Sequence, residues 1–115
     1  MHRPPEPDRP YEEVEAEVAT VLDEHEVVLF MKGNELMPQC GYSRKALALI
    51  KHYRDEVEVV DVLEALPHYR KALKPHSGRE TIPQAFVNGK FIGGGDILEQ
   101  LHERDELADT LTPTP

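Results

Sequence analysis

Val27-Val28-Leu29-Phe30-Met31-Lys32-Gly33, four further residues, and then Pro38-Gln39-Cys40-Gly41-Tyr42-Ser43 form the stretch that decides how the chain is read. Its first five residues are a short continuous apolar run, the pattern of a central strand buried on both faces. After the loop, Tyr42, Ala46, Leu47, Leu49, Ile50 and Tyr53 recur at helical spacing and give a helix with a broad apolar face. Val57, Val59, Val60 and Val62 then make a second, β-branched strand. Strand, helix, strand over this span is a βαβ unit, which predicts parallel strands joined by a right-handed crossover.

Cys40 is the only cysteine, and this reading puts it at the carboxyl end of the first strand, where open α/β sheets bind ligands. A helix start leaves backbone N–H groups unpaired and adds the positive end of the dipole, so a thiol there ionises more readily. The thiolate is the species that attacks disulfides and binds soft metals. An inert buried cysteine is the alternative, but few core positions carry turn residues on both sides as Cys40 does with Pro38 and Gly41. Cys40 is therefore the candidate catalytic and metal-ligating residue.

Working outward, Val14, Val18, Val21 and Leu22 recur among glutamates and predict an amphipathic helix over about 11–24. Residues 1–10 hold four prolines and no periodicity, and read as a disordered lead-in. On the other side, Leu66, Tyr69, Ala72 and Leu73 predict a third helix with Pro67 in its first turn. Gln84-Ala85-Phe86-Val87 and Lys90-Phe91-Ile92 flank Asn88-Gly89, the signal for a type I′ hairpin of antiparallel strands. Gly93-Gly94-Gly95 leads to Asp96, a candidate N-cap for a helix through Ile97, Leu98 and Leu101. Leu107, Ala108 and Leu111 allow a last short helix before a tail at 112–115. One domain is expected over 11–111.

At 115 residues and 39% hydrophobic content the chain can fill one core. Formal net charge is −9, with 22 acidic against 13 basic residues, which argues against nucleic acid as a partner. No apolar run approaches membrane-span length, and Met1-His2-Arg3-Pro4-Pro5 lacks the apolar stretch of a secretory signal. A cytoplasmic protein without membrane partners is expected, and one unpaired cysteine suits that reducing compartment. His25, His52, His68, His76 and His102 show no zinc-ligand spacing, and no cysteine pair completes such a site.

The order helix, strand, helix, strand, helix, hairpin, helix, with a cysteine after the first strand, is that of the thioredoxin fold, an α/β architecture with a four-stranded mixed sheet flanked by helices. Lys32-Gly33, four residues, and Pro38-Gln39-Cys40-Gly41-Tyr42-Ser43 resembles the K-G-x-x-x-x-P-x-C-G-F-S signature of monothiol glutaredoxins. Thr81-Ile82-Pro83-Gln84, Phe86-Val87-Asn88-Gly89 and Gly93-Gly94-x-Asp96 resemble the family's remaining blocks, in order and at the right spacing. Three departures stand out. Tyr42 replaces the signature phenylalanine, Arg79-Glu80 stands where the family usually has Trp-Pro, and Gly95 replaces an often-present second cysteine.

The resemblance implies a site for glutathione or a related small thiol. By it, Lys32 would bind the peptide thiol near Cys40, and Arg70 and Lys74 would reach a carboxylate of it. Ile82, before a cis Pro83, would pair its backbone with its cysteinyl part, Thr81 is counted with them among the binding residues, and Gly95 and Asp96 would hold the γ-glutamyl end. A cis X-Pro bond turns the preceding backbone outward, ready to receive an extended peptide as a short added strand. Surface ion pairs for the three cations, an ordinary tight turn at Gly93-Gly94-Gly95 and a trans proline are the alternative readings.

Ser43 stands where two-cysteine relatives carry a resolving thiol, and a hydroxyl cannot perform thiol exchange. A [2Fe–2S] cluster takes four sulfur ligands, of which one chain offers one. Two chains and two bound peptide thiols would complete the set. The resemblance implies that arrangement: a homodimer bridged by the cluster, exchanging it with iron–sulfur donor and acceptor proteins. The alternatives are a glutathione-dependent thiol-disulfide oxidoreductase acting in deglutathionylation and an adaptor without redox chemistry.

Overall fold

The computed structural model describes residues 7–112. Most of the expected lead-in (1–6) and the end of the tail (113–115) lie outside the described residues. Helix α1 (Tyr11–Glu24) buries Val14, Val18 and Leu22 at four-residue spacing, so one stripe faces the core while its glutamates face water. Its start is fastened by Arg9, which bonds Glu17 at 2.6 Å, Glu13 at 3.1 Å and the Tyr69 hydroxyl at 3.0 Å. Burial, and then the hydrogen bond to Glu17, push the Tyr69 phenol up to about 12, so it stays a proton donor.

Strand β1 (Val27–Met31) is buried at every position, as the unbroken apolar run predicts. Helix α2 (Gly41–Tyr53) returns the chain to β2 (Glu58–Asp61), which pairs parallel to β1 with Leu29 opposite Val59. A single 3-10 turn (Leu63–Ala65) leads into α3 (Leu66–Ser77), with Pro67 at its start and Gly78 at φ 76° closing its end. The hairpin of β3 (Gln84–Val87) and β4 (Lys90–Gly93) turns at Asn88 and Gly89, both at positive φ as a type I′ turn requires. Helices α4 (Gly95–Glu103) and α5 (Leu107–Leu111) complete the chain. The sheet is mixed, in the order β2-β1-β3-β4, with β3 antiparallel to both neighbours.

Alternation along β1 builds two core layers. Val28 and Phe30 face α1 and α3, where they meet Val14, Val18, Tyr69 and Phe86. Val27, Leu29 and Met31 face the other side, against Ala46 and Ile50 of α2, Leu98 of α4 and both leucines of α5. Successive side chains of a strand point to opposite faces, so one five-residue run fills both layers. With β1 held from both sides, its carboxyl end and the loop to Cys40 start from a fixed point.

Asp96 does not cap α4. Gly94 is the N-cap and its carbonyl accepts the first helical bond, from Leu98 N–H at 3.0 Å, while Asp96 sits inside the first turn with no capping bond. The reason is steric. A Cβ on Gly93 would lie 2.5 Å from the Ile97 side chain and one on Gly94 3.0 Å from the Pro83 carbonyl, so the glycines set where the helix begins.

Candidate functional site

Cys40 is the N-cap residue of α2, in extended conformation, and its side chain is partly exposed. The Ser43 N–H is the main influence that lowers its pKa below that of an ordinary thiol. Burial opposes this, while the Tyr42 N–H, the Ser43 hydroxyl and the charge of Lys32 add to it. The helix start stabilises the thiolate as the sequence predicts, mainly through aimed N–H groups.

The loop that delivers Cys40 is held from several directions. Gly33 at φ 92° donates its N–H to Asp61 Oδ1 at 3.0 Å, and the same oxygen accepts from Leu63 N–H at 3.0 Å. Gln39 N–H returns to the Lys32 carbonyl at 2.9 Å. The Asn34 side chain accepts from Leu36 and Met37 N–H, both at 2.9 Å. These bonds satisfy the loop's own backbone and leave Leu36 and Met37, 92% and 65% exposed, in solvent. Tyr42 is 61% exposed, so the hydroxyl that distinguishes it from phenylalanine is hydrated and needs no internal partner.

Beside Tyr42 a groove of about 430 Å³ runs between two segments, the Thr81-Ile82-Pro83 loop and the start of α4 at Gly94-Gly95-Asp96. The Ile82-Pro83 bond is cis, as the family resemblance implies. Among the described residues the Ile82 backbone makes no internal hydrogen bond, so an N–H and a carbonyl are free beside the groove. The N–H groups of Gly95 and Asp96 at the α4 start are likewise unpaired among the described residues. Donors and an acceptor of this kind, with an apolar wall from Phe91 and Ile97, fit a small extended peptide.

Five of the residues named from sequence therefore come together at the groove: Thr81, Ile82, Pro83, Gly95 and Asp96. Lys32 stands apart at the end of β1, near enough to Cys40 for its charge to act on the thiol. Arg70 and Lys74 lie on α3 and do not line the groove. Arg79 does line it, although in the sequence it stands out only as a departure from the family pattern. The loop it occupies is held from beneath, because the buried Gln84 donates through Nε2 to the Arg79 and Thr81 carbonyls, both at 2.9 Å.

Residues 27–92 match the Glutaredoxin family model. A protein named as an uncharacterized monothiol glutaredoxin, ycf64 of Porphyra purpurea, is 41% identical over 90 residues, covering 78% of this chain and 83% of that one. This chain belongs to the monothiol glutaredoxin family. Among solved glutaredoxins, reduced poplar apo GrxS14 superposes with a TM-score of 0.74 at 35% identity, over 85% of this chain and 89% of its own. A buckwheat glutaredoxin solved in complex with glutathione has a TM-score of 0.75 at 22% identity, over 89% and 90% of the two chains, a likeness of fold. The glutaredoxin described here is thioredoxin-like throughout its sheet, and no helix among its described residues is long and apolar enough to cross a membrane.

Proposed function

We propose that this monothiol glutaredoxin carries [2Fe–2S] clusters, receiving them from donor proteins and handing them to acceptors. The observation that carries the reading is the sulfur inventory: one partly exposed cysteine of lowered pKa, with no second thiol anywhere in the sequence. A soft cluster held by four sulfurs then needs three from elsewhere. A second copy of the chain supplies one, and a small thiol held in each groove supplies the other two. The donor set fits such a cargo, since the ligating sulfur has a lowered pKa and is partly exposed, and no cluster of three or more His, Cys, Asp or Glu side chains among the described residues offers a rival metal site.

Glutathione or a related low-molecular-weight thiol is the co-ligand in this reading. Ile82 would pair through its backbone with the cysteinyl part, Thr81 and Pro83 would flank it, and Gly95 and Asp96 would receive the γ-glutamyl end. Lys32 adds its charge to the groups that lower the Cys40 pKa and would attract the peptide's carboxylate. Arg70 and Lys74, outside the groove, would act on that carboxylate only at longer range. A single domain over 11–111 and a cytoplasmic location, where thiols stay reduced, complete the proposal.

Anaerobic reconstitution with iron, sulfide and glutathione tests it. A brown dimer with visible absorption, abolished by Cys40→Ser and by omitting glutathione, is expected. A colourless monomer from the unmodified chain counts against the carrier role. The second reading, a glutathione-dependent oxidoreductase that removes glutathione from protein thiols, rests on the same thiolate. It gains if the colourless protein turns over in a coupled thiol-disulfide assay.

A further inference from the structure

Arg79 enters the groove with its charge unspent. Its backbone is fixed on both sides, since its N–H donates to Ser77 Oγ at 3.0 Å and its carbonyl accepts from Ser77 Oγ at 3.0 Å and from Gln84 Nε2 at 2.9 Å. Its guanidinium lies 6.0 Å from the centre of the Phe91 ring and lines the groove together with that ring. Among the described residues it forms no salt bridge, and neither does Asp96, although both line the same groove. A cation and an anion that share a groove without neutralising each other match a ligand that carries both signs close together. An α-amino-acid head group, one carboxylate and one ammonium on one carbon, is such a ligand.

Position decides which end of a peptide thiol this is. Phe91 is on β4, the strand farthest along the sheet from β2, and Gly94, Gly95 and Asp96 begin the helix that follows β4. Lys32 follows β1, on the far side of β3. The two cations thus stand on opposite sides of β3. A guanidinium at the outer edge of cation–π reach of an aromatic ring keeps its N–H donors free for a carboxylate.

We propose that Arg79 is a specificity-determining residue of the groove, donating to the α-carboxylate of the ligand's γ-glutamyl residue while Asp96 accepts from the neighbouring ammonium. The assignment rests on the small-thiol reading above and adds to it a residue outside the family's usual pattern. Its consequence is selectivity for thiols that keep an intact γ-glutamyl head, whether or not a glycine follows the cysteine.

Titration of the full chain at low ionic strength, followed by amide chemical shifts, tests it with two probes: S-methylglutathione and S-methylcysteinylglycine, which lacks the γ-glutamyl group. For S-methylglutathione, Arg79→Ala is expected to raise Kd about tenfold, the loss of a charge-assisted hydrogen bond partly screened by water, and Arg79→Lys to restore part of it. Neither variant should move the Kd of S-methylcysteinylglycine. Equal Kd values for S-methylglutathione in wild type and Arg79→Ala, or equal losses for both probes, overturn the assignment while leaving the small-thiol groove in place. Wild-type protein that binds neither probe overturns the groove reading and this assignment with it.

Discussion

The amide of Lys32 donates to Ser43 Oγ at 3.1 Å, and Ser43 is fully buried. This bond ties the end of β1 to the first turn of α2, with Cys40 held between them in sequence. The residue at the resolving-thiol position of two-cysteine relatives is thus a fastener, and its N–H is also the main influence that lowers the Cys40 pKa. Ser43→Ala leaves the Lys32 N–H without its acceptor in a buried setting and is expected to cost about 1–3 kcal/mol. Urea denaturation checks this, and an unchanged midpoint would show that the N–H finds another partner at no cost.

Cys40 should react as a thiolate below the range of an ordinary cysteine. The folded pKa is depressed, so the ionised fraction rises from a lower pH than in the unfolded chain, where the thiol titrates near about 8.5. The rate of iodoacetamide alkylation against pH is expected to show its inflection below that value. Lys32→Gln removes one of the stabilising influences and should move the inflection upward, by less than unfolding does, because the aimed N–H groups of Ser43 and Tyr42 remain. An inflection at or above that of the urea-unfolded protein would dispose of the idea.

Most of the fold was legible because its signals are local. The run Val27–Met31, the valine-rich second strand and the Asn88-Gly89 turn each carry their own periodicity or turn chemistry, and the family's blocks added the order of the sheet. What was not legible depends on approach between distant segments. The N-cap of α4 is Gly94 and not Asp96, in a segment where a Cβ on Gly93 would meet the Ile97 side chain and one on Gly94 would crowd the Pro83 carbonyl. Asp61 anchors Gly33 from another strand, and nothing in its own neighbourhood marks it for that role. Arg79 could have been found by asking which cation adjoins the cis-proline block, whereas the family comparison drew attention to what it replaces.

The ion pair between Lys45 of α2 and Glu99 of α4 crosses the interface beside Tyr42 and Asp96, and the Glu99 hydrogen bond is the main reason the Lys45 pKa is raised. Both side chains are more than a third exposed, so screening and the entropy of fixing two long chains offset most of the attraction. A double-mutant cycle with Lys45→Ala and Glu99→Ala should give a coupling barely above experimental error. A coupling several times larger would mean that the pair holds α4 in place.

Gly33 and Gly95 separate two reasons for a glycine near the site. Gly33 sits at φ 92°, and a Cβ there would lie 2.4 Å from the Met37 carbonyl oxygen and 2.6 Å from the Gln39 nitrogen, both backbone atoms that cannot swing aside. Gly33→Ala therefore adds left-handed strain to a backbone clash, and about 3 kcal/mol of stability should be lost. Because the loop must open to admit the methyl, the alkylation profile of Cys40 should shift as well. Gly95 has helical conformation, and its nearest would-be contact is the Tyr42 carbonyl at 3.3 Å, which a few tenths of an ångström relieve. There the gain in helix propensity from Gly to Ala, about 0.5–1 kcal/mol at most so close to a helix start, offsets the crowding, and Gly95→Ala should leave the thermal midpoint nearly unchanged. Midpoints that fall equally in both variants would contradict this difference between a strained turn and a merely close approach.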